Sequence, residues 1–307
     1  MKVLFATDGS PADRSARQFV AGARWPAGSE IELFGVVAPN PLAVSGVLVE
    51  RDLRAFEHEL DFLAASLPGR DCVITWRDAV GQPAEMIALR ARAMEADLIV
   101  VGNRGRGPIA AAVLGSVSSG VIDRAPCPVL VARRSAARRI VLADDGSSGA
   151  AAAAAFVNDW PLFDDAALEI VTVVDVGRPL SASDGAPALY SAGELLYLES
   201  LDEERARARA TVAARLRMLK PRPRAVKTSV RERDAADEVL AAAHEFAADL
   251  IVVGSRGQTG LARFFAGSVA RRVLMRASCS VLIARGSARL VREHDPAMMP
   301  FGLLTPT

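Results

Sequence analysis

Two stretches of this chain carry the residue types and spacing of an anion-binding loop. The first reads Gly102-Asn103-Arg104-Gly105, nine residues, then Gly115-Ser116-Val117-Ser118. The second reads Gly254-Ser255-Arg256-Gly257, again nine residues, then Gly267-Ser268-Val269-Ala270. Glycine lets backbone come close to a ligand and adopt positive φ. The Gly-Ser pair at the far end of each stretch should open a helix, whose first N–H groups lack intrahelical partners and whose dipole favours negative charge. Phosphate is the anion such a loop suits, with the hydroxyls of Ser116, Ser118 and Ser268 as further donors. Arg104 and Arg256, inside the loops, either touch phosphate or pin the loop to a neighbouring carboxylate.

A second group of residues would complete the site. Ala6-Thr7-Asp8-Gly9-Ser10 and Ala143-Asp144-Asp145-Gly146-Ser147 each end an apolar run. In a doubly wound sheet of order 3-2-1-4-5, strands one and four are neighbours at the topological switch point, where such folds bind ligands. A carboxylate there can accept hydrogen bonds from a ribose or help hold a metal on the phosphates. Backbone at Val36 and Val37, with Val173 and Val174 as counterparts, would give an apolar wall for adenine. Catalytic groups are not evident. His58, His244 and His294 are isolated, no Ser/His/Asp or metal constellation is visible, and neither loop is followed by a Walker lysine. The sequence therefore points to binding with at most slow hydrolysis, and names no catalytic or metal-ligating residue.

The elements that must position these residues occur twice. Val3-Leu4-Phe5-Ala6-Thr7-Asp8-Gly9-Ser10 returns as Ile140-Val141-Leu142-Ala143-Asp144-Asp145-Gly146-Ser147, and Ala96 to Gly102 returns letter for letter as Ala248 to Gly254. From Ala96 to Arg133 against Ala248 to Arg285, 21 of 38 positions are identical, too many for chance. This predicts a first domain over 1–134, a second over 139–286 and a disordered or loosely draped tail over 287–307. The Pro/Gly/Ser/Ala-rich segment 177–195 reads as an enlarged surface loop. Strands are expected at Lys2–Thr7, Ile31–Val37, Cys72–Trp76, Asp97–Val101 and Pro128–Ala132, with helices at Ala12–Arg24, Glu50–Leu67, Pro83–Glu95 and Ser116–Arg124. The second copy repeats the plan, with strands at Arg139–Ala143, Leu168–Val174, Ala225–Arg231, Leu250–Val253 and Ser280–Ala284. These strands read as continuously apolar, as a parallel sheet covered on both faces requires. The fold class is α/β: two Rossmann-like doubly wound domains, each with helices on both faces of a parallel sheet.

On these residues the chain resembles the universal stress protein family. The marks are the opening strand ending in Asp-Gly-Ser, the Ala-Asp-Leu-Ile-Val-Val-Gly strand, the glycine loop, and the closing strands Ala125-Pro126-Cys127-Pro128-Val129-Leu130-Val131 and Ala277-Ser278-Cys279-Ser280-Val281-Leu282-Ile283. The resemblance implies an ATP-binding stress protein, each domain a five-stranded sheet of order 3-2-1-4-5. It also implies pairing of the last strands, which a tandem chain can make internally; a further homodimer of tandem chains stays open. Members with the glycine motif generally bind ATP, and magnesium can accompany the nucleotide. Copy two departs in having Ala270 and Arg271 for Ser118 and Ser119, and Asp144 for Thr7. The expectation is a weaker second site, with two hydroxyls lost and an added carboxylate that repels phosphate unless magnesium intervenes.

Composition narrows the alternatives. The 37 basic and 36 acidic residues nearly cancel, giving no general electrostatic reason to bind nucleic acid or an anionic membrane. Half the residues are apolar, yet no run reaches the roughly 18 needed to span a bilayer. The N-terminus lacks the apolar stretch of a signal peptide, so the cytoplasm is the expected location. Cys72, Cys127 and Cys279 lie far apart and read as buried thiols. Two other classes remain. An adenylating enzyme on the same kind of sheet would carry Ser-Gly-Gly-x-Asp-Ser after strand one, where this chain has Asp8-Gly9-Ser10-Pro11. A partner-binding module would keep its glycine loops only for packing.

Overall fold

The computed structural model describes residues 1–38, 57–58, 60–65, 67, 71–103, 114–175, 192–220, 224–255 and 267–285. In the first half these form β1 (Lys2–Ala6), α1 (Arg14–Gly22), β2 (Ser29–Val37), β3 (Cys72–Val80), α2 (Pro83–Ala93), β4 (Leu98–Gly102), α3 (Ser116–Arg124) and β5 (Val129–Ala132). The second half gives β6 (Arg139–Ala143), α4 (Ser148–Asp159), β7 (Ala167–Val174), α5 (Ala192–Met218), β8 (Val226–Glu232), α6 (Ala235–Glu245), β9 (Leu250–Gly254), α7 (Ser268–Arg276) and β10 (Ser280–Ala284). The expected Glu50–Leu67 helix falls mostly outside the described residues; 60–65 is helical. The 177–195 segment up to Ser191 and the 287–307 tail also lie outside them.

The ten strands of the described residues join one sheet in the order β3-β2-β1-β4-β5-β10-β9-β6-β7-β8. Each half thus has the expected order 3-2-1-4-5, with parallel neighbours. The seam is antiparallel: Val281 faces Val131, Leu282 faces Leu130 and Ile283 faces Val129. Pairing here removes two apolar edges that would otherwise be exposed. Successive side chains on a strand point to opposite faces, so the seam feeds both layers. Val129, Val131, Val281 and Ile283 enter the core beneath α2, α3, α6 and α7, while Leu130 and Leu282 enter the core beneath α1 and α4. Both cores run through the two halves without a break.

Two expectations need correction. The central strands are buried on both faces, but β3 alternates between half-buried and exposed residues and β8 begins exposed. They are the outer edges of the sheet among the described residues, where one flank has no neighbouring strand and the exposed positions stand clear of the helix layers. The helix expected from Ala12 is split: Pro11 starts a 3-10 turn over Pro11–Asp13, and the α-helix begins at Arg14. Proline fixes φ and supplies no N–H, which suits the first turn of a helix.

Trp160 packs edge-on against Phe156, with ring centroids 4.6 Å apart, in the core under α4. Cys127 and Cys279 are buried and Cys72 half-buried, and all are free thiols. Burial pushes the Cys127 thiol up to about 12. His58 and His244 are exposed, as expected; His294 lies outside the described residues.

Candidate functional site

Strand β1 lies beside β4, with Ala6 level with Val101. The chain therefore leaves both strands at one edge of the sheet, which brings the Asp-Gly-Ser turn next to the start of the glycine loop. Gly9 and Gly146 make this turn with φ of 71° and 77°, a conformation side chains other than glycine rarely adopt. Asp8 Oδ1 accepts from Ser10 N at 3.0 Å, and Asp145 Oδ1 accepts from Ser147 N at 3.0 Å. The two ends of each glycine-rich segment meet: Gly115 N–H donates to Asn103 O at 3.0 Å, and Gly267 N–H donates to Ser255 O at 2.8 Å. Helices α3 and α7 start immediately afterwards, and no side chain caps either one. Residues 116–118 and 268–270 therefore present the unpaired N–H groups of a helix start. Beside Gly115, Asn103 Oδ1 is buried and finds no partner among the described residues. Arg104, Gly105, Arg256 and Gly257 lie outside those residues.

Several side chains expected at the ligand have other duties. Ser118 is buried and its hydroxyl donates to Gly102 O at 2.8 Å, tying the start of α3 to the end of β4. Its proton is spent within the protein, so Ala270 in the second half does not lack a phosphate donor for that reason. Arg271 is likewise engaged within the protein. It reaches across the seam to Asp123 at 2.7 Å. Val36 and Val37 point to opposite faces, Val36 toward the α2/α3 core and Val37 toward the α1 core. Val174 is buried against Leu201 and Ala208 of α5, and Val173 packs on the α6/α7 side. Strand alternation thus turns the two side chains of each valine pair to opposite faces.

The residues below strand one differ most between the halves. Thr7 donates its hydroxyl to Asp13 and accepts from Gly9 N at 3.0 Å. Asp13 is almost fully buried, with Arg17 at 2.7 Å. Burial raises its pKa above the ordinary value, overcoming the lowering by Thr7 and Arg17, while Asp8 nearby adds to the rise. In the second half Asp144 takes the place of Thr7 and Ala150 the place of Asp13. Asp144 is buried, accepts from Gly146 N at 2.9 Å, and receives two nitrogens of Arg215 from α5. The carboxylate expected to repel phosphate is therefore neutralised inside the fold. Arg215 is the residue that reading the sequence missed. It lies 71 positions away on a helix full of arginines, and nothing in its spacing marks it.

Gly254 also answers to packing. A Cβ there would sit 2.5 Å from the carbonyl carbon of Gly149 at the start of α4. The glycine ending β9 is needed for close approach of helix and strand, whatever the loop binds. For magnesium, no group of three His, Cys, Asp or Glu side chains converges among the described residues. Asp8 and Asp145 are the carboxylates of the two Asp-Gly-Ser turns. Among the described residues no helix is long and apolar enough to cross a membrane.

Comparison with known proteins agrees with this architecture. The model of the universal stress protein family matches residues 1–133 and again 136–285. A universal stress protein of Mycobacterium tuberculosis is 33% identical over 200 residues, 63% of each chain. One from Thermus aquaticus is 51% identical over 53 residues, 17% of this chain and 39% of that one. The matches thus span less than two thirds of these relatives' length. Among solved structures, a universal stress protein from Archaeoglobus fulgidus superposes with a TM-score of 0.63 at 19% identity. It covers 94% of this chain and 97% of its own, a likeness of fold.

Proposed function

This chain belongs to the universal stress protein family, which carries a general stress-related role, and from that premise we propose that each half binds an adenine nucleotide, ATP with or without magnesium. The binding units are 1–134 and 139–286. What carries the reading is one arrangement made twice. A positive-φ Asp-Gly-Ser turn at the end of strand one stands beside the end of strand four, where the glycine-rich segment begins, and an uncapped helix start follows that segment in the chain. Phosphates would lie over the N–H groups of 116–118 and 268–270, and Asp8 and Asp145 would face the ribose or a magnesium ion. This chain's own contribution is binding and positioning; hydrolysis, where it occurs, is slow.

Calorimetric titration with ATP, AMP and cyclic AMP, with and without magnesium, tests this. Gly115→Val and Gly267→Val each put a branched side chain where phosphate must meet backbone. Each should remove one of two ATP equivalents, and loss of neither would sink the site. A second reading, a partner-binding module without nucleotide, draws on the packing duties of Gly254 and Ser118. It predicts no ATP uptake, and no adenine released when the purified protein is denatured.

A further inference from the structure

We propose that the two candidate nucleotide sites are coupled through a reciprocal pair of arginines, Arg133 and Arg285, so that filling one site changes the affinity of the other. The proposal rests on the nucleotide-binding reading. Helices α3 and α7 each open at a glycine loop and close beneath an arginine from the opposite half. Arg285 donates to Ile122 O and, at 3.0 Å, to Ala125 O at the end of α3. Arg133 donates to Leu274 O in the last turn of α7 at 2.7 Å, and to Cys279 O at 3.2 Å.

The chemistry suits the position. The last carbonyls of a helix have no intrahelical partner and carry the negative end of the dipole, so a forked cation satisfies both needs. Each arginine directly follows a seam strand, so the far end of each loop helix is fastened to the other half's closing strand. A third contact shortens the path: Arg271, in the first turn of α7, pairs with Asp123 in the last turn of α3. A nine-residue helix is about 13 Å long and moves as a rigid piece. An anion drawing on the start of α3 therefore also loads its end, where Arg285 and Asp123 connect to the second half. Ser280 Oγ accepts from the N–H groups of Arg133 and Arg134 at 3.0 Å each, fixing that arginine's backbone to β10.

The test is calorimetry on the full chain. ATP is titrated into the parent, into Gly115→Val and into Gly267→Val, and each titration is repeated with Arg133→Met and Arg285→Met together. Coupling predicts that the parent's stepwise affinities depart from those of the single-site chains by at least about fivefold, the lower end of usual coupling. With both arginines replaced, the departure should fall below about twofold, while each single-site affinity stays within about twofold of its value before the arginine change. Independent sites in the parent, or coupling that survives the methionine pair, would overturn the proposal while leaving the nucleotide reading intact. No ATP uptake by any chain would overturn both. Should the methionine pair fail to fold, Arg133→Lys with Arg285→Lys serves instead. It keeps the charges but loses the fork, and the same loss of coupling is expected.

Discussion

Beneath the strand-one turn each half buries a carboxylate, and each has an arginine partner. Asp144 has a full partner in Arg215, itself buried on α5. Removing one member of a buried pair leaves an uncompensated charge, which typically costs about 3–5 kcal/mol. Arg215→Met should lower stability by that amount in urea unfolding, and Asp144→Thr, which restores the residue of the first half, should recover part of it. No recovery would mean that Arg215 contributes packing rather than charge compensation. Asp13 pairs with Arg17, yet burial raises its pKa above 3.8. The folded chain then binds that proton more tightly than the unfolded chain. The resulting stability is complete below 3.8 and is lost as pH rises through the folded value. Asp13→Asn keeps an acceptor for Thr7 and removes the titration. Relative to the parent it should be more stable at pH 7 than at pH 4, and an unchanged difference at the two pH values would contradict the assignment.

At the scale of elements, much of the site's framework was legible in the sequence because local signals agreed. Helix α3 begins at Ser116 and ends at Arg124 as read, since Gly115 and Pro126 bound a short periodic segment. Strands β6 and β10 likewise keep their expected limits. The order of the strands and the seam followed from the resemblance and from apolar edges that need partners. What could not be read was where side chains turn once helices dock. Gly254 illustrates this, for the motif marks it as a ligand glycine while the fold uses it to admit Gly149. Gly254→Ala should therefore cost roughly 1–3 kcal/mol by overpacking, even with no nucleotide present. A melting temperature equal to the parent's would show that α4 can give way. Gly120 in α3 makes the same point, since a Cβ there would meet Ala84 at 2.7 Å. Its counterpart Arg272 instead pairs with Asp234 at the start of α6. One half joins these helices by close approach and the other by charge, a difference that depends on contacts more than 30 residues apart.

The molecule as a whole is one sheet with two faces, and this bears on how it comes apart. Chains with two homologous domains often unfold in two steps, because each domain has its own core. Here neither core stops at the seam: Val131 and Val281 share the α2/α3/α6/α7 layer, and Leu130 and Leu282 share the other. The arginines at the helix ends fasten the same boundary from outside. The full chain should therefore unfold in a single cooperative transition, with fluorescence from Trp25, Trp76 and Trp160 and far-UV circular dichroism superimposing. Val281→Asp places a carboxylate opposite Val131 in a fully buried position, with no cation on the facing strand segment Val129–Ala132. Such a charge cannot be accommodated without opening the seam to water. The variant should separate the two probes into distinct transitions and increase the hydrodynamic radius, while each half keeps its internal parallel pairing. If Val281→Asp still unfolds in one step at the parent's radius, the seam is not what makes the chain a single cooperative unit.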